Sequence, residues 1–138
     1  MKVSYYPGCS LEGTAKSDYA QSLHAIAKAF DIQLEEIPEW HCCGASAAHS
    51  INHRASIELA GNIVSLSSKL PHEDVLVPCP MCFNRLKTAV KALKEEHADK
   101  YRVQLEDEVP KIWGFAEYFA TPDMLEEIGQ KVVKPLKD

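Results

Sequence analysis

The sequence has no long hydrophobic run. No stretch of its 138 residues approaches the roughly 18 consecutive apolar residues that a membrane-spanning helix needs. The opening residues, MKVSYYPGCS, also lack the apolar segment of a secretory signal peptide. These two absences predict a cytoplasmic protein without a direct membrane span.

Clustered positive charge is missing as well. The chain carries 15 Lys and Arg against 20 Asp and Glu, which gives a formal net charge of −5, and the basic residues are scattered. A nucleic-acid surface needs a basic patch or stripe, so no nucleic-acid partner is expected. Internal repeats and low-complexity segments are absent, and 46% of the residues are hydrophobic. A core can therefore form without disulfides or other staples.

Cysteine, by contrast, occurs five times. The five are Cys9, the adjacent pair Cys42 and Cys43, and Cys79 and Cys82 of a Cys-x-x-Cys motif. An odd number would leave one thiol outside any disulfide framework, and adjacent cysteines make a strained bridge. In a reducing compartment, cysteines in such patterns bind metals or act in catalysis more often than they form disulfides. The pattern predicts a metal or catalytic site.

Apolar patterning predicts three strands, each followed by a helix. The strands are Lys2–Tyr6, Ile32–Ile37 and Val75–Val77. Charged residues interrupt the second, which is expected at an edge, whereas the third is wholly apolar, as is typical of a central parallel strand. The β-α-β-α-β-α order predicts one α/β domain over residues 1–138, with a small parallel sheet flanked by helices in a Rossmann-like arrangement.

Helical periodicity predicts the buried face of each helix. The expected stripes are Tyr19, Leu23, Ile26, Ala27 and Phe30; Leu59, Ile63, Leu66 and Leu70 of a helix over residues 51–70; Leu86, Val90 and Leu93 of a helix starting near Cys82; and Leu125, Ile128 and Val132. A short fourth strand is predicted at Val109–Trp113, and the charged residues from Lys94 to Lys100 are predicted to be solvated.

The predicted topology gathers the cysteines. Cys9 is expected in a loop after the first strand, the Cys42 and Cys43 pair follows the second, and Cys79 follows the third. The carboxyl ends of parallel strands lie at one edge of the sheet, where ligands bind in open α/β folds. Cys79 and Cys82 also open a predicted helix, whose N-terminal partial charge favours thiolates. All five are therefore expected to meet at one site.

Three chemistries remain open for such a site. Five thiolates suit a multi-iron cluster, because iron–sulfur clusters take ionised thiolate ligands. A single zinc ion would be saturated by four. A thiol–disulfide enzyme could use Cys79 and Cys82 without metal, but it would leave the other three cysteines without a role.

Several neighbours of the cysteines are candidates for a supporting role. His41 is expected to contact the cluster's ligands or solvent, or to act as a ligand or proton donor. Gly44 can take a positive φ or let a ligand approach the backbone. Trp40 and Met81 are expected to shield the site from water. Arg85 follows Cys82 by about one helical turn and either pairs with a negative cluster or is solvated.

These motifs resemble the CCG cysteine-rich domain, which is typical of the B subunit of heterodisulfide reductase. The signature is a cysteine, a spacer, Cys-Cys-Gly, a second spacer of similar length and Cys-x-x-Cys. Here it is carried by Cys9, by Cys42-Cys43-Gly44 and by Cys79-Pro80-Met81-Cys82. The opening Tyr5-Tyr6-Pro7-Gly8-Cys9 is similar to that subunit too, and the resemblance extends over residues 1–138.

The resemblance implies a noncubane [4Fe–4S] cluster held by Cys9, Cys42, Cys43, Cys79 and Cys82. In the family, two CCG domains in tandem take part in cleaving a disulfide, the mixed disulfide of coenzyme M and coenzyme B. Electrons arrive through partner subunits, a flavin and iron–sulfur A-type subunit and an iron–sulfur C-type subunit. Related proteins serve the oxidation of lactate, glycolate or glycerol 3-phosphate, or succinate-linked quinone systems.

One departure from the family affects the domain organisation. This chain carries one signature rather than two, so it is expected to be the first of two domains of a longer subunit, or a stand-alone one-domain subunit. The resemblance thus predicts an oxidoreductase subunit acting within a complex. The alternative from a different class is a zinc-binding docking module of a redox complex.

Overall fold

Four short strands form the sheet of this protein, for which a computed structural model describes residues 1–95 and 98–137. The strands are β1 Lys2–Tyr5, β2 Gln33–Glu36, β3 Asp74–Val77 and β4 Lys111–Gly114. They are ordered β2-β1-β3-β4, and every neighbouring pair is parallel. The prediction of an α/β domain with a small parallel sheet is confirmed, as are the edge position of β2 and the internal position of β3.

Helices connect and flank these strands. They are α1 Gly8–Glu12, α2 Gln21–Ala29, α3 Ala45–Ile51, α4 His53–Ser67, α5 Pro80–Lys94, α6 Phe115–Phe119 and α7 Pro122–Lys131, with a π-helical turn at Lys16–Ala20 and a 3₁₀ turn at Ala98–Lys100. The chain thus passes from β1 to α1, from β2 to α3 and from β3 to α5 at one edge of the sheet.

The sheet is covered on both faces, as β3 shows directly. Successive side chains of a strand point to opposite faces. Val75 and Val77 belong to the core cluster that holds buried residues of α4 and α5, whereas Leu76 packs with Val3 and Tyr118 on the other side. The side chains of Val75, Leu76 and Val77 are buried, and Asp74 at the start of β3 is half-buried. A strand covered on both faces has no solvent face for polar residues, which explains the apolar sequence from Val75 to Val77.

The helix predicted over residues 51–70 is α4, and an additional short helix, α3, precedes it. Asn52 separates them with extended backbone and caps α4, because its side-chain oxygen accepts a hydrogen bond from the Ala55 backbone N–H at 3.1 Å. Asparagine is among the best residues at this position, since it satisfies one of the free N–H groups of the first turn. The helix α3 lies on the connection that leaves the carboxyl end of β2.

Some predicted apolar stripes are covered only in part. In α7, Leu125 is 55% exposed while the neighbouring Met124 is buried, and Val132, directly after the helix, is 47% exposed. The helix contacts the core through its first turn, where Met124 packs in the cluster that contains Val3 and Tyr118. Three other members of the predicted stripes are also exposed: Tyr19, Ile26 and Leu59. Periodicity identifies the apolar face of a helix but not which neighbours cover it.

Two boundaries differ from prediction. Cys9 lies inside the short helix α1 rather than in a loop, because the chain turns into a helix immediately after Pro7. The fourth strand is shifted to Lys111–Gly114. Of the predicted charged stretch, Lys94 and Lys100 are exposed, whereas residues 96 and 97 lie outside the described part of the chain.

Candidate metal centre

The cysteines lie on three successive connections that leave the same edge of the sheet. Cys9 is the second residue of α1 after β1, Cys42 and Cys43 lie between β2 and α3, and Cys79 directly precedes α5 after β3. Cys82 is on the first turn of α5. The three strands are parallel and adjacent, so their carboxyl ends bring these connections together.

Two close sulfur–sulfur contacts join the connections. The Sγ atoms of Cys9 and Cys42 are 3.8 Å apart, and those of Cys43 and Cys82 are 3.4 Å apart. Because Cys42 and Cys43 are adjacent, the two contacts are linked through one peptide bond. All five cysteines are free thiols.

The sulfurs form two close pairs. Within residues 1–95 and 98–137, no three His, Cys, Asp or Glu side chains form a group that could hold a single metal ion. Cys9 and Cys42 are the outer pair, Cys43 and Cys82 are the inner pair, and Cys79 directly precedes α5, the helix that carries Cys82.

The inner pair is buried and the outer pair is exposed. Cys43 is 1% exposed and Cys82 is 5% exposed, whereas Cys9 and Cys42 are open to solvent and Cys79 is intermediate. A group held by these thiols would thus have one side against the protein core and the other side accessible from outside.

Electrostatics favour a thiolate in the inner pair. The pKa of Cys43 is lowered to about 6, mainly by its hydrogen bond with Cys82. Burial raises this pKa, whereas the Ala45 backbone N–H and the charge of Arg85 lower it further. The pKa of Cys82 is raised by the same hydrogen bond and by burial, so in this pair Cys43 ionises before Cys82. Ionised thiolates are the form in which cysteine binds metals.

Gly8 makes room for the inner pair. Its φ of +72° lies in the left-handed region, and an added Cβ would lie 3.1 Å from the Cys82 Sγ. Any other residue would be strained there and would press on the sulfur. The sequence signal was the Pro7-Gly8 turn before Cys9, which marks the end of a strand but does not show that the glycine faces a cysteine of another connection.

Hydrogen bonds hold the segment that carries the Cys42 and Cys43 pair. The His41 Nδ1 lies 2.8 Å from the Cys42 carbonyl oxygen, and its Nε2 lies 2.8 Å from the side-chain nitrogen of Asn62 on α4. The tautomer that satisfies both contacts donates from Nδ1 and accepts at Nε2. With both ring nitrogens engaged, His41 orients the backbone of Cys42. Sequence reasoning missed Asn62, because nothing in the local pattern links it to a residue 21 positions earlier.

Tyr6 also holds the segment that carries Cys42 and Cys43. Its side chain is fully buried, and its hydroxyl donates a hydrogen bond of 2.9 Å to the His41 carbonyl oxygen. Its ring meets Trp40 edge-on, with centroids 5.6 Å apart. Burial, and then the charges of Cys82 and Cys43, raise the pKa of Tyr6, so the hydroxyl remains a donor. Trp40 is half-buried against the core, and Met81 is 42% exposed on the first turn of α5.

We expect Tyr6→Phe to loosen this segment. Removing the hydroxyl leaves the His41 carbonyl without its donor, which should lower the free energy of unfolding by about 1–3 kcal/mol. Urea unfolding followed by circular dichroism measures the loss. Tyr118→Phe is the matched control, because among residues 1–95 and 98–137 that hydroxyl donates only to the Met1 Sδ, at 3.8 Å. Equal losses in the two variants would contradict a specific role for the Tyr6 hydroxyl.

A family comparison agrees with this geometry. The model of the CCG cysteine-rich domain family matches residues 3–87, a range that contains all five cysteines. The chain belongs to the CCG cysteine-rich domain family.

A curated protein is similar over almost the whole chain. It is the 8-methylmenaquinol:fumarate reductase membrane anchor subunit of Wolinella succinogenes, 29% identical over 141 residues that cover 99% of this chain. The match covers 49% of that protein, so the chain spans about half the length of this relative. Together with the family match, this relative supports a cysteine-rich, metal-binding module of a redox complex.

The expectation of a cytoplasmic location is wrong by this comparison. It rested on missing signal and spanning segments, whereas the relative is named as the membrane anchor subunit of a reductase. Among the helices of residues 1–95 and 98–137, none has the length and hydropathy of a transmembrane segment. Sequence hydropathy reports spanning segments, and a protein can be held at a membrane in other ways.

Proposed function

We propose that this chain is an iron–sulfur module of a heterodisulfide reductase-like oxidoreductase. In this proposal Cys9, Cys42, Cys43, Cys79 and Cys82 hold a [4Fe–4S] cluster of the noncubane type. The observation that carries the proposal is the meeting of three separate strand–helix connections through the Cys9–Cys42 and Cys43–Cys82 sulfur contacts.

The chemistry of these residues fits such a group. Five thiols exceed what one zinc ion binds, whereas a group with several metal atoms can use all of them. Cys43 ionises readily, with a pKa of about 6 that results first from its hydrogen bond with Cys82. Backbone N–H groups lie at the sulfurs as well: that of Gly44 is 3.4 Å from the Cys42 Sγ, and that of Ala45 is 3.4 Å from the Cys43 Sγ. Hydrogen bonds to sulfur are one of the ways in which proteins set cluster potentials.

The two sides of the site suggest different roles for its cysteines. Cys43 and Cys82 are buried, so they would anchor the group against the core and exclude water from that side. Cys9 and Cys42 are exposed and would leave the outer side open to a disulfide substrate or a redox partner. When bound, the cluster would supply the one-electron steps that the reductive cleavage of a disulfide requires. His41 and Tyr6 would keep the Cys42 backbone in place during those steps.

We propose that the chain works with partner subunits of a redox complex. The family resemblance favours an A-type flavin and iron–sulfur subunit and a C-type iron–sulfur subunit as electron donors, with a disulfide as substrate. The similarity to a reductase membrane anchor subunit favours a membrane-associated complex. Since the chain spans about half of that relative, we also propose that residues 1–138 are one CCG domain that works beside a second one.

Metal analysis of anaerobically purified and reconstituted protein tests the proposal. We expect about four iron and four acid-labile sulfide per chain, and an EPR signal after mild oxidation. About one zinc without sulfide would replace the proposal by the structural docking module. Disulfide reduction by metal-free protein would favour direct thiol chemistry at Cys79 and Cys82 instead.

A further inference from the structure

Arg85 is a charged residue of α5 that faces the cysteine site. It follows Cys82 by three positions, and residues three or four apart lie on the same face of a helix. Helical side chains also lean toward the N-terminus of their helix, which here is the end that carries Cys79 and Cys82. The helix therefore directs Arg85 toward the inner pair of thiols.

Among the described residues, no carboxylate forms an ion pair with Arg85. Its Nε is enclosed by protein, yet within the described residues it makes no hydrogen bond. Among the described residues, Ser4 Oγ is the other buried side-chain nitrogen or oxygen without a hydrogen-bond partner, and a hydroxyl carries no charge. The ion pairs formed among residues 1–95 and 98–137 do not include Arg85. Enclosing part of a guanidinium without a partner is costly, so an anionic group beside it would remove that cost.

The cysteine site is the group on this face of α5 that could supply the negative charge. Arg85 lies one helical turn after Cys82, whose Sγ is 3.4 Å from the Cys43 Sγ, so the helix carries the guanidinium on the side of the inner pair. Arg85 is half-buried, so water screens this interaction less than it would on an open surface. Because an arginine keeps its charge in proteins, the effect would persist at any working pH.

We propose that Arg85 is the fixed positive counter-charge of the iron–sulfur cluster and raises its reduction potential. This inference rests on the proposed function, since it needs a cluster at the five cysteines. Adding one electron makes the cluster one unit more negative, and a neighbouring positive charge stabilises the reduced state more than the oxidised state. No bond forms or breaks at Arg85, and its proton stays in place.

A redox titration of three anaerobically reconstituted variants tests this role. Arg85→Gln removes the charge, Arg85→Lys keeps it, and Lys91→Gln removes one exposed charge from the same helix as a matched control. Dithionite supplies the electrons to the oxidised cluster, and the loss of its EPR signal reports the fraction reduced. We expect Arg85→Gln to make reduction about tenfold less favourable, equivalent to about 59 mV for a one-electron couple. Arg85→Lys and Lys91→Gln should stay close to the wild-type potential.

Iron content separates the failure of this inference from the failure of the proposed function. If the wild-type protein binds no iron and sulfide, the proposed function is wrong, and Arg85 has no cluster for which it could be the counter-charge. If the variants bind wild-type amounts of iron but Arg85→Gln keeps the wild-type potential, the counter-charge role is overturned while the cluster stands. Loss of the cluster in Arg85→Gln with retention in Arg85→Lys would support a requirement for charge. Loss in both, with Lys91→Gln intact, would indicate a packing role and overturn the inference.

Discussion

Cys42→Ser and Cys79→Ser should each lose most of their iron and sulfide. The two cysteines come from different connections, after β2 and after β3, and differ in exposure, since Cys42 is exposed and Cys79 is intermediate. Only a group shared by both connections makes them equally necessary. Serine is a much weaker ligand for iron than thiolate, because a soft, ionised sulfur is what the metal prefers. Iron and sulfide analysis after anaerobic reconstitution measures the effect.

Ser10→Ala is a suitable control for the two cysteine variants. Ser10 is exposed on α1 beside Cys9, so its hydroxyl can be removed without touching a proposed ligand. We expect wild-type iron content in this variant and an unchanged far-UV circular dichroism spectrum in all three. Wild-type iron in both Cys42→Ser and Cys79→Ser would refute a shared site. Loss in Cys42→Ser alone would restrict the metal to the connections after β1 and β2.

The position of the site could be predicted from the sequence because topology alone determines it. Once Val75–Val77 is read as a buried parallel strand, each cysteine motif falls at the carboxyl end of a strand, and these ends meet at one edge. Short apolar strands are strong signals, since only a position covered on both faces tolerates them. The structure brings the sulfurs of different connections into contact, which is what this argument requires.

The supporting contacts could not be predicted, because they join residues that no local pattern relates. Asn62 reaches His41 across the gap between α4 and the segment before α3, and Tyr6 reaches the same histidine from the end of β1. For Arg85 the sequence left two readings open, a pairing with the cluster or solvation. Its Nε is enclosed by protein, which disfavours solvation. Such pairings depend on how helices pack on the sheet, and periodicity does not specify that packing.

The exposed apolar residues of α7 illustrate the same limit. Leu125 and Val132 have the spacing of a buried stripe, but only the first turn of α7 lies against the sheet, through Met124. By contrast, the cap at Asn52 was readable in principle, because an asparagine ahead of an apolar-periodic segment is a recognised start signal for a helix. The predicted helix begins at about Ile51, one residue before this cap and two before the first residue of α4.

Gly44→Ala should destabilise the protein more than any other glycine substitution near the site. Gly44 has a φ of +84°, and an added Cβ would lie 2.6 Å from the Ala48 Cβ and 3.0 Å from the Leu59 Cδ1. Left-handed backbone costs a residue with a Cβ about 1–2 kcal/mol. Overpacking between helices costs a further 1–3 kcal/mol or so. We therefore expect the free energy of unfolding to fall by about 2–5 kcal/mol, a large part of the stability of a typical domain.

The same substitution should also weaken metal binding, because Gly44 directly follows Cys43 and its N–H lies 3.4 Å from the Cys42 Sγ. Gly129→Ala is the matched control: Gly129 lies within α7, and nothing is within 4 Å of its added Cβ. That change should stabilise the protein by about 0.5–1 kcal/mol, since alanine is the better helix former. Urea unfolding of both variants, with iron analysis of the same preparations, separates the two effects. A Gly44→Ala protein as stable as Gly129→Ala and with full iron content would show that neither the left-handed backbone nor the close packing at Gly44 is needed to present the cysteine pair.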